Sequence, residues 1–196
     1  MRQSNQVPDP NRSFSPTMYW IGHIAGLFSI LAVFVSLAIA YWLRSANMVN
    51  WKPVQLPQQL TLSTIFLLAA SVSIEAARYA LKRGGIQPYA VWLIRTGVFA
   101  TAFVITQGLC WRKMLAETES TNSNEQFFYV LTGAHAVHVM GGMVFLGFLI
   151  WRTRHPWREF AEMRRNTITT IVASYWHFMS VIWLGLYALL AAKSTI

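Results

Sequence analysis

The sequence predicts an all-α, polytopic membrane protein of five transmembrane helices, and three observations predict it. First, 55% of the 196 residues are hydrophobic and only 12% are charged, where a soluble domain carries about a quarter charged. Second, the charges are segregated. Met18–Leu43, Pro53–Ile74, Gln126–Trp151 and Asn166–Ala192 contain no Asp, Glu, Lys or Arg, and Ile86–Trp111 is interrupted only by Arg95. Each run exceeds the roughly 20 residues that cross a bilayer core as a helix. Third, the basic residues divide unequally between the two sides that these runs define.

The elements follow in order. Residues 1–17, with Pro8, Pro10 and Pro16 among polar neighbours, read as an extended cytoplasmic tail. The apolar stretch after it is too long for a signal peptide and has no small-residue cleavage site, so the first span is expected to stay. Residues 18–196 form the membrane domain, with spans at about 18–43, 58–81, 88–111, 126–151 and 167–192. Span one ends before Arg44 and span two opens after Leu56–Pro57. The "ALKRGG" turn leads to span three behind Pro88, and a long basic connection, "WRTRHPWREFAEMRRN", joins the last two.

One side then holds Arg2, Arg12, Arg78, Lys82, Arg83, Arg152, Arg154, Arg158, Arg164 and Arg165. The other holds Arg44, Lys52, Arg112, Lys113 and Lys193. By the positive-inside rule the N-terminus is inside and the C-terminus outside. Trp20, Trp42, Trp51, Trp92, Trp111, Trp151 and Trp157 fall near span ends, where indoles favour the interface. The net charge of +9 is thereby accounted for by orientation and contact with anionic headgroups, and a nucleic-acid partner is not implied. A single cysteine, Cys110, excludes an internal disulfide and a cysteine-ligated cluster.

Ionisable groups at membrane depth carry the functional information. Glu75 in span two and Arg95 in span three flank a tight turn at similar depth, which suggests an intramembrane charge pair. Arg78, one turn from Glu75, is the competing partner, and snorkelling to the headgroups is the plain alternative. "TGAHAVHVMGG" places His135 and His138 three residues apart on one helix face. "SYWHFMSVIWLGLY" adds His177 with Ser180 one turn on, and both paths lead to mid-depth. Gly133, Ala134, Ala136, Gly141 and Gly142 keep the backbone lean, so the expected arrangement is an interhelical polar seam of His135, His138, His177 and Ser180. A metal site needs three or four convergent ligands with partners to orient them; that reading and headgroup contact stay open beside the seam.

The two histidine segments together resemble subunit III of the haem–copper terminal oxidases, whose members typically read Thr-Gly-Phe-His-Gly-Leu-His-Val and Tyr-Trp-His-Phe-Val-Asp-Val-Val-Trp. Thr132, Gly133, His135, His138 and Val139 match the first motif, and Tyr175, Trp176, His177, Phe178 and Trp183 the second. "LPQQLTLSTIFLLAASVSIEAARYAL" is similar to the family's following span, and Gln107 and Trp111 fall where a Gln and an aromatic residue usually close the next. The resemblance covers Met18 to the C-terminus and fits the short, five-helix form. It departs at two points: Gly26 takes the place of a span-one carboxylate, and Ser180 that of the last motif's Asp.

The resemblance implies an accessory subunit with no catalytic residues, metal or cofactor of its own, in the inner (plasma) membrane of a bacterium. Its expected partners are the catalytic subunit I and subunit II, which carry haem and copper, together with membrane lipids and a larger respiratory assembly. Its expected roles are assembly and stability of the proton-pumping, oxygen-reducing complex, phospholipid binding and an oxygen path. Two alternatives are an accessory subunit of a nitric oxide reductase, and a small membrane redox protein with histidine-ligated haem or metal. A transporter is disfavoured because the spans show no internal repeat.

Overall fold

A computed structural model describes residues 16–47, 58–117, 123–154 and 161–194. These residues form five helices: α1 (Pro16–Asn47), α2 (Gln58–Lys82), α3 (Ile86–Glu117), α4 (Ser123–Thr153) and α5 (Ala161–Ser194). All five are long and apolar enough to cross a membrane. The helices outrun the expected spans, and for a simple reason. Charge-free runs measure the part that hydrocarbon tolerates, whereas a helix continues into the interface, where Arg112 and Lys113 at the end of α3 cost little. The expected N-terminal tail lies outside the described residues up to residue 15.

The α2–α3 turn is built by its two glycines. Gly84 adopts φ +76°, a left-handed conformation open to glycine at little cost. Its N–H donates to the Leu81 carbonyl at 2.9 Å and that of Gly85 to Ala80 at 3.1 Å, which satisfies two of the orphan carbonyls of α2 in a Schellman ending. A Cβ on Gly85 would stand 2.7 Å from Pro88 Cγ, so the second glycine is needed for space. Gly85 O then accepts from Tyr89 N–H at 3.1 Å, and Pro88 sits in the first turn of α3, where its missing N–H has no partner to lose.

Helices α2, α3, α4 and α5 pack in that cyclic order, α5 closing on α2, while α1 leans only on α4 and α5. Trp176 and Trp183 of α5 point into the bundle centre with Phe103 of α3, Phe128 and Leu131 of α4, and Leu67 and Ile74 of α2. Val72, Val98, Val137, Val144 and Val181 are just as apolar but face outward. Hydrophobicity therefore does not sort inside from outside here; shape and polar contacts do.

Candidate functional site

The interior polar groups form lines between helices. Between α2 and α5 the contacts run antiparallel. Thr61 meets the Tyr187 hydroxyl at 3.0 Å, and Trp183 Nε1 donates to Thr64 Oγ1 at 2.9 Å. Further in, Ser71 Oγ lies 2.6 Å from His177 Nδ1, and His177 Nε2 lies 3.2 Å from Glu75 Oε2. A carboxylate only accepts, so Nε2–H donates to Glu75, and Ser71 Oγ meets the other ring nitrogen. Arg78 closes the line, donating from Nε to both Glu75 oxygens at 3.0 Å.

The other seams are shorter. Ser63 Oγ donates to Gln107 Oε1 at 3.2 Å between α2 and α3. Trp111 Nε1 donates to Thr132 Oγ1 at 3.1 Å between α3 and α4, and Tyr89 and Thr169 hydroxyls meet at 2.9 Å between α3 and α5. The Tyr175 hydroxyl donates to the His138 carbonyl at 2.7 Å. Gly142 makes that possible, since a Cβ there would stand 2.9 Å from the Tyr175 ring. On α1, His23 Nε2 reaches Ser174 Oγ at 2.6 Å; that hydroxyl already donates to Ile171 O, so the imidazole N–H is the donor.

Several expected partners differ. Among the described residues no hydrogen bond joins His135 or His138 of α4 to His177 or Ser180 of α5. His177 faces α2, because the adjacent Trp176 takes the central position and one residue turns a helix by about 100°. His138 Nδ1 donates to its own helix at Ala134 O, 2.7 Å away, and Ser180 Oγ donates to Trp176 O at 2.9 Å. His135 is fully buried, and neither ring nitrogen has a hydrogen-bond partner among the described residues. Aromatic rings enclose it: Trp183 at 4.8 Å between centroids, Phe103 at 5.8 Å and Phe34 at 6.1 Å.

Glu75 pairs with Arg78 rather than Arg95. A partner one turn away needs no interhelical reach, and Arg95, exposed on α3, lays its guanidinium 4.5 Å over the Trp92 ring. Gly26, expected from the resemblance to stand in place of a span-one acid, is exposed with nothing within 4 Å of a Cβ there; Phe34 is what meets His135 and His138. Of the motif positions, Thr132, Gln107, Trp176 and Trp183 are buried, Tyr175 and Phe178 half-buried, and Gly133 has open space beside it. Sequence reasoning missed Ser71, Ser174, Thr64 and Tyr89. The one signal available was a recurrence of hydroxyl residues within apolar helices.

His135 yields a direct test. A buried polar group left unbonded costs about 1–3 kcal/mol, so His135→Phe is expected to leave thermal stability unchanged or raised. A fall in melting temperature comparable to that of a core truncation would mean that the imidazole is bonded after all.

What can this arrangement do? The imidazoles of His23, His135 and His177 each meet a different set of neighbours, and no three His, Cys, Asp or Glu side chains group as metal ligands among the described residues. A cleft of about 510 Å³ opens between α1, α4 and α5, lined by His23, Phe145, Phe148, Ile168, Ile171 and Tyr175 among others. The geometry is that of a helix bundle fastened by polar links, with an apolar lateral cleft.

Comparison with known proteins agrees with this architecture. The family model described as cytochrome c oxidase subunit III matches residues 14–193, which takes in all five helices but for Ser194. A probable cytochrome c oxidase subunit 3 of Nocardia farcinica is 31% identical over 179 residues, covering 88% of this chain and 87% of the relative. Its counterpart in Mycobacterium tuberculosis is 30% identical over 183 residues, covering 89% and 88%. The cytochrome c oxidase subunit 3 of Thermostichus vulcanus is 29% identical over 178 residues, covering 89% and 87%. With matches of that extent across the whole bundle, this chain belongs to the cytochrome c oxidase subunit III family.

Proposed function

We propose that the chain is the accessory subunit III of a haem–copper terminal oxidase, packing against the catalytic subunit I and subunit II in a bacterial plasma membrane. Oxygen reduction and proton pumping belong to the complex; haem and copper sit in the partner subunits, and this chain supplies assembly and stability. The match across residues 14–193 carries the reading. The interior supports it as well: His177 has both nitrogens committed to Ser71 and Glu75, the bonding of a strut. The excess of basic residues beside the α2–α3 and α4–α5 connections supports an N-terminus inside and a C-terminus outside.

The cleft between α1, α4 and α5 is proposed as a phospholipid seat. Its walls are apolar, it opens sideways, and Tyr19 and His23 stand at the end nearest the expected inner surface, where acyl chains would lie along the walls and a headgroup would meet those side chains. The same apolar cleft is the proposed oxygen path, since oxygen partitions into apolar phases.

The test is purification of the tagged chain from native membranes in mild detergent, with partner identification and a reduced-minus-oxidised spectrum. Subunits I and II should co-purify, with haem and copper that stay with them when the chain is separated. A partner complex lacking copper would point instead to a nitric oxide reductase. Stoichiometric haem or metal retained by the isolated chain would overturn the accessory role.

A further inference from the structure

The α2–α5 line carries ionisable groups to a depth that lipid serves poorly. The middle of α2 falls near Ala70, so the Ser71–His177 bond lies close to the midplane. Glu75 follows one turn toward the α2–α3 turn, and Arg78 one turn beyond. Yet the side chains of Glu75, His177 and Arg78 are 42%, 43% and 30% exposed. Acyl chains offer such groups no hydrogen bonds, and intramembrane charges characteristically face protein or a water-filled cavity. The neighbouring outward positions, Val72 and Val181, are 70% and 67% exposed and need no such cover. Arg95, the other intramembrane cation, rests on Trp92 of its own helix.

The donor inventory says what kind of cover the cluster lacks. Glu75 and Arg78 carry opposite charges and neutralise each other, so what the cluster lacks is hydrogen-bond partners. Arg78 has five N–H donors and spends Nε and Nη2 on Glu75. Among the described residues its Nη1 group has no acceptor. Farther out along α5, level with the Thr61–Tyr187 and Thr64–Trp183 contacts, Gly185 and Ala188 are exposed and small, which lets a second backbone approach there.

Resting on the subunit reading above, we propose that the α2–α5 face from Val181 and Val72 to Arg78 is where a transmembrane helix of the haem-bearing catalytic subunit docks, presenting a hydrogen-bond acceptor to the Arg78 guanidinium. The acceptor is a side-chain oxygen or a backbone carbonyl at a kink, and the valines supply the flanking apolar contact.

The test is site-specific photo-cross-linking in the full complex within native membranes. A photoreactive residue is placed at Val72, at Val181, at Val98 on α3 and at Phe28 on α1. All four positions face outward. Adducts to the catalytic subunit, identified by mass, are expected from positions 72 and 181, with lipid adducts from 98 and 28. Arg78→Leu should lower the adduct yield at position 72 severalfold, and Arg78→Lys should recover part of it. Lipid adducts alone at 72 and 181, with capture of the catalytic subunit from 98 or 28, would overturn the docking face and leave the subunit reading intact. Equal capture from all four positions would also overturn it. No oxidase subunit captured from any position would sink the subunit reading itself.

Discussion

Trp183→Ala is expected to be the most damaging single truncation in this bundle, costing about 3 kcal/mol or more. Trp183 is 1% exposed at the centre of the bundle. Its indole lies at 33° to the His135 ring and nearly perpendicular to Phe103, 5.4 Å away. Its N–H donates to Thr64. One side chain of α5 thus holds α2, α3 and α4 at once. In a bilayer the usual transfer component of such a loss is absent, because lipid is as apolar as the core. What remains is the cavity and its forfeited dispersion contacts, which places the value toward the low end of the range for buried Trp. Trp183→Phe is the milder replacement. It keeps a ring in the cage and removes the N–H bond, worth about 0.6–1.7 kcal/mol between membrane helices, together with the volume of one fused ring, a smaller cavity than alanine leaves. Thr64 is not orphaned, since its hydroxyl also donates to Leu60 O at 2.9 Å. Thermal melting of the purified complex in mild detergent should rank wild type, Phe, then Ala. An alanine variant as stable as the phenylalanine variant would show that the centre of the bundle collapses to refill the space.

How far the sequence foretold this interior depends on which property is asked. The five helices were legible because hydrocarbon excludes charge, and charge is visible residue by residue. The rotation of each helix was not. In water an amphipathic stripe marks the buried face, but here both faces are apolar, and Trp176 and Trp183 pack inward with Phe103 and Phe128, Trp183 held further by its bond to Thr64. His177 was legible as a buried polar group and illegible as a partner of Ser71, because the choice between α4 and α2 turns on about 100° of rotation. The hydroxyls were harder still. Ser36 and Thr101, both exposed, donate to carbonyls one turn back on their own helices. That bond is open to any Ser or Thr in a membrane helix, so Ser71 and Ser174 look no different in sequence. The Gly-Gly turn was placed correctly because it rests on chain-local geometry, the kind of constraint a sequence states outright.

The second large effect is expected at Glu75, and it is a statement about coupling more than about loss. Glu75→Gln removes the negative charge that neutralises Arg78 and leaves a guanidinium at a depth where an unpaired charge costs up to about 2.5–3.5 kcal/mol. Arg78 lies nearer the helix end than Glu75 and can extend its stem toward the headgroups, so the single replacement is expected to cost about 1–3 kcal/mol, the penalty of leaving one partner of a bonded charge pair unmet. Glu75→Gln with Arg78→Met should be milder than Glu75→Gln alone, because the charge left stranded by the first change is gone. Glu75→Gln with Arg95→Met should show no such relief, since Arg95 engages Trp92 and not the carboxylate. His177→Phe supplies the third arm. It removes the link from α5 to both Ser71 and Glu75 while the Arg78 fork stays in place, so its cost should add to that of Arg78→Met rather than cancel. The measurement is a set of double-replacement cycles on melting temperature and on the yield of assembled complex. Relief by Arg95→Met equal to that by Arg78→Met would return the intramembrane pair to α2 and α3. It would also remove the reason for Arg78 to seek an acceptor on a neighbouring subunit.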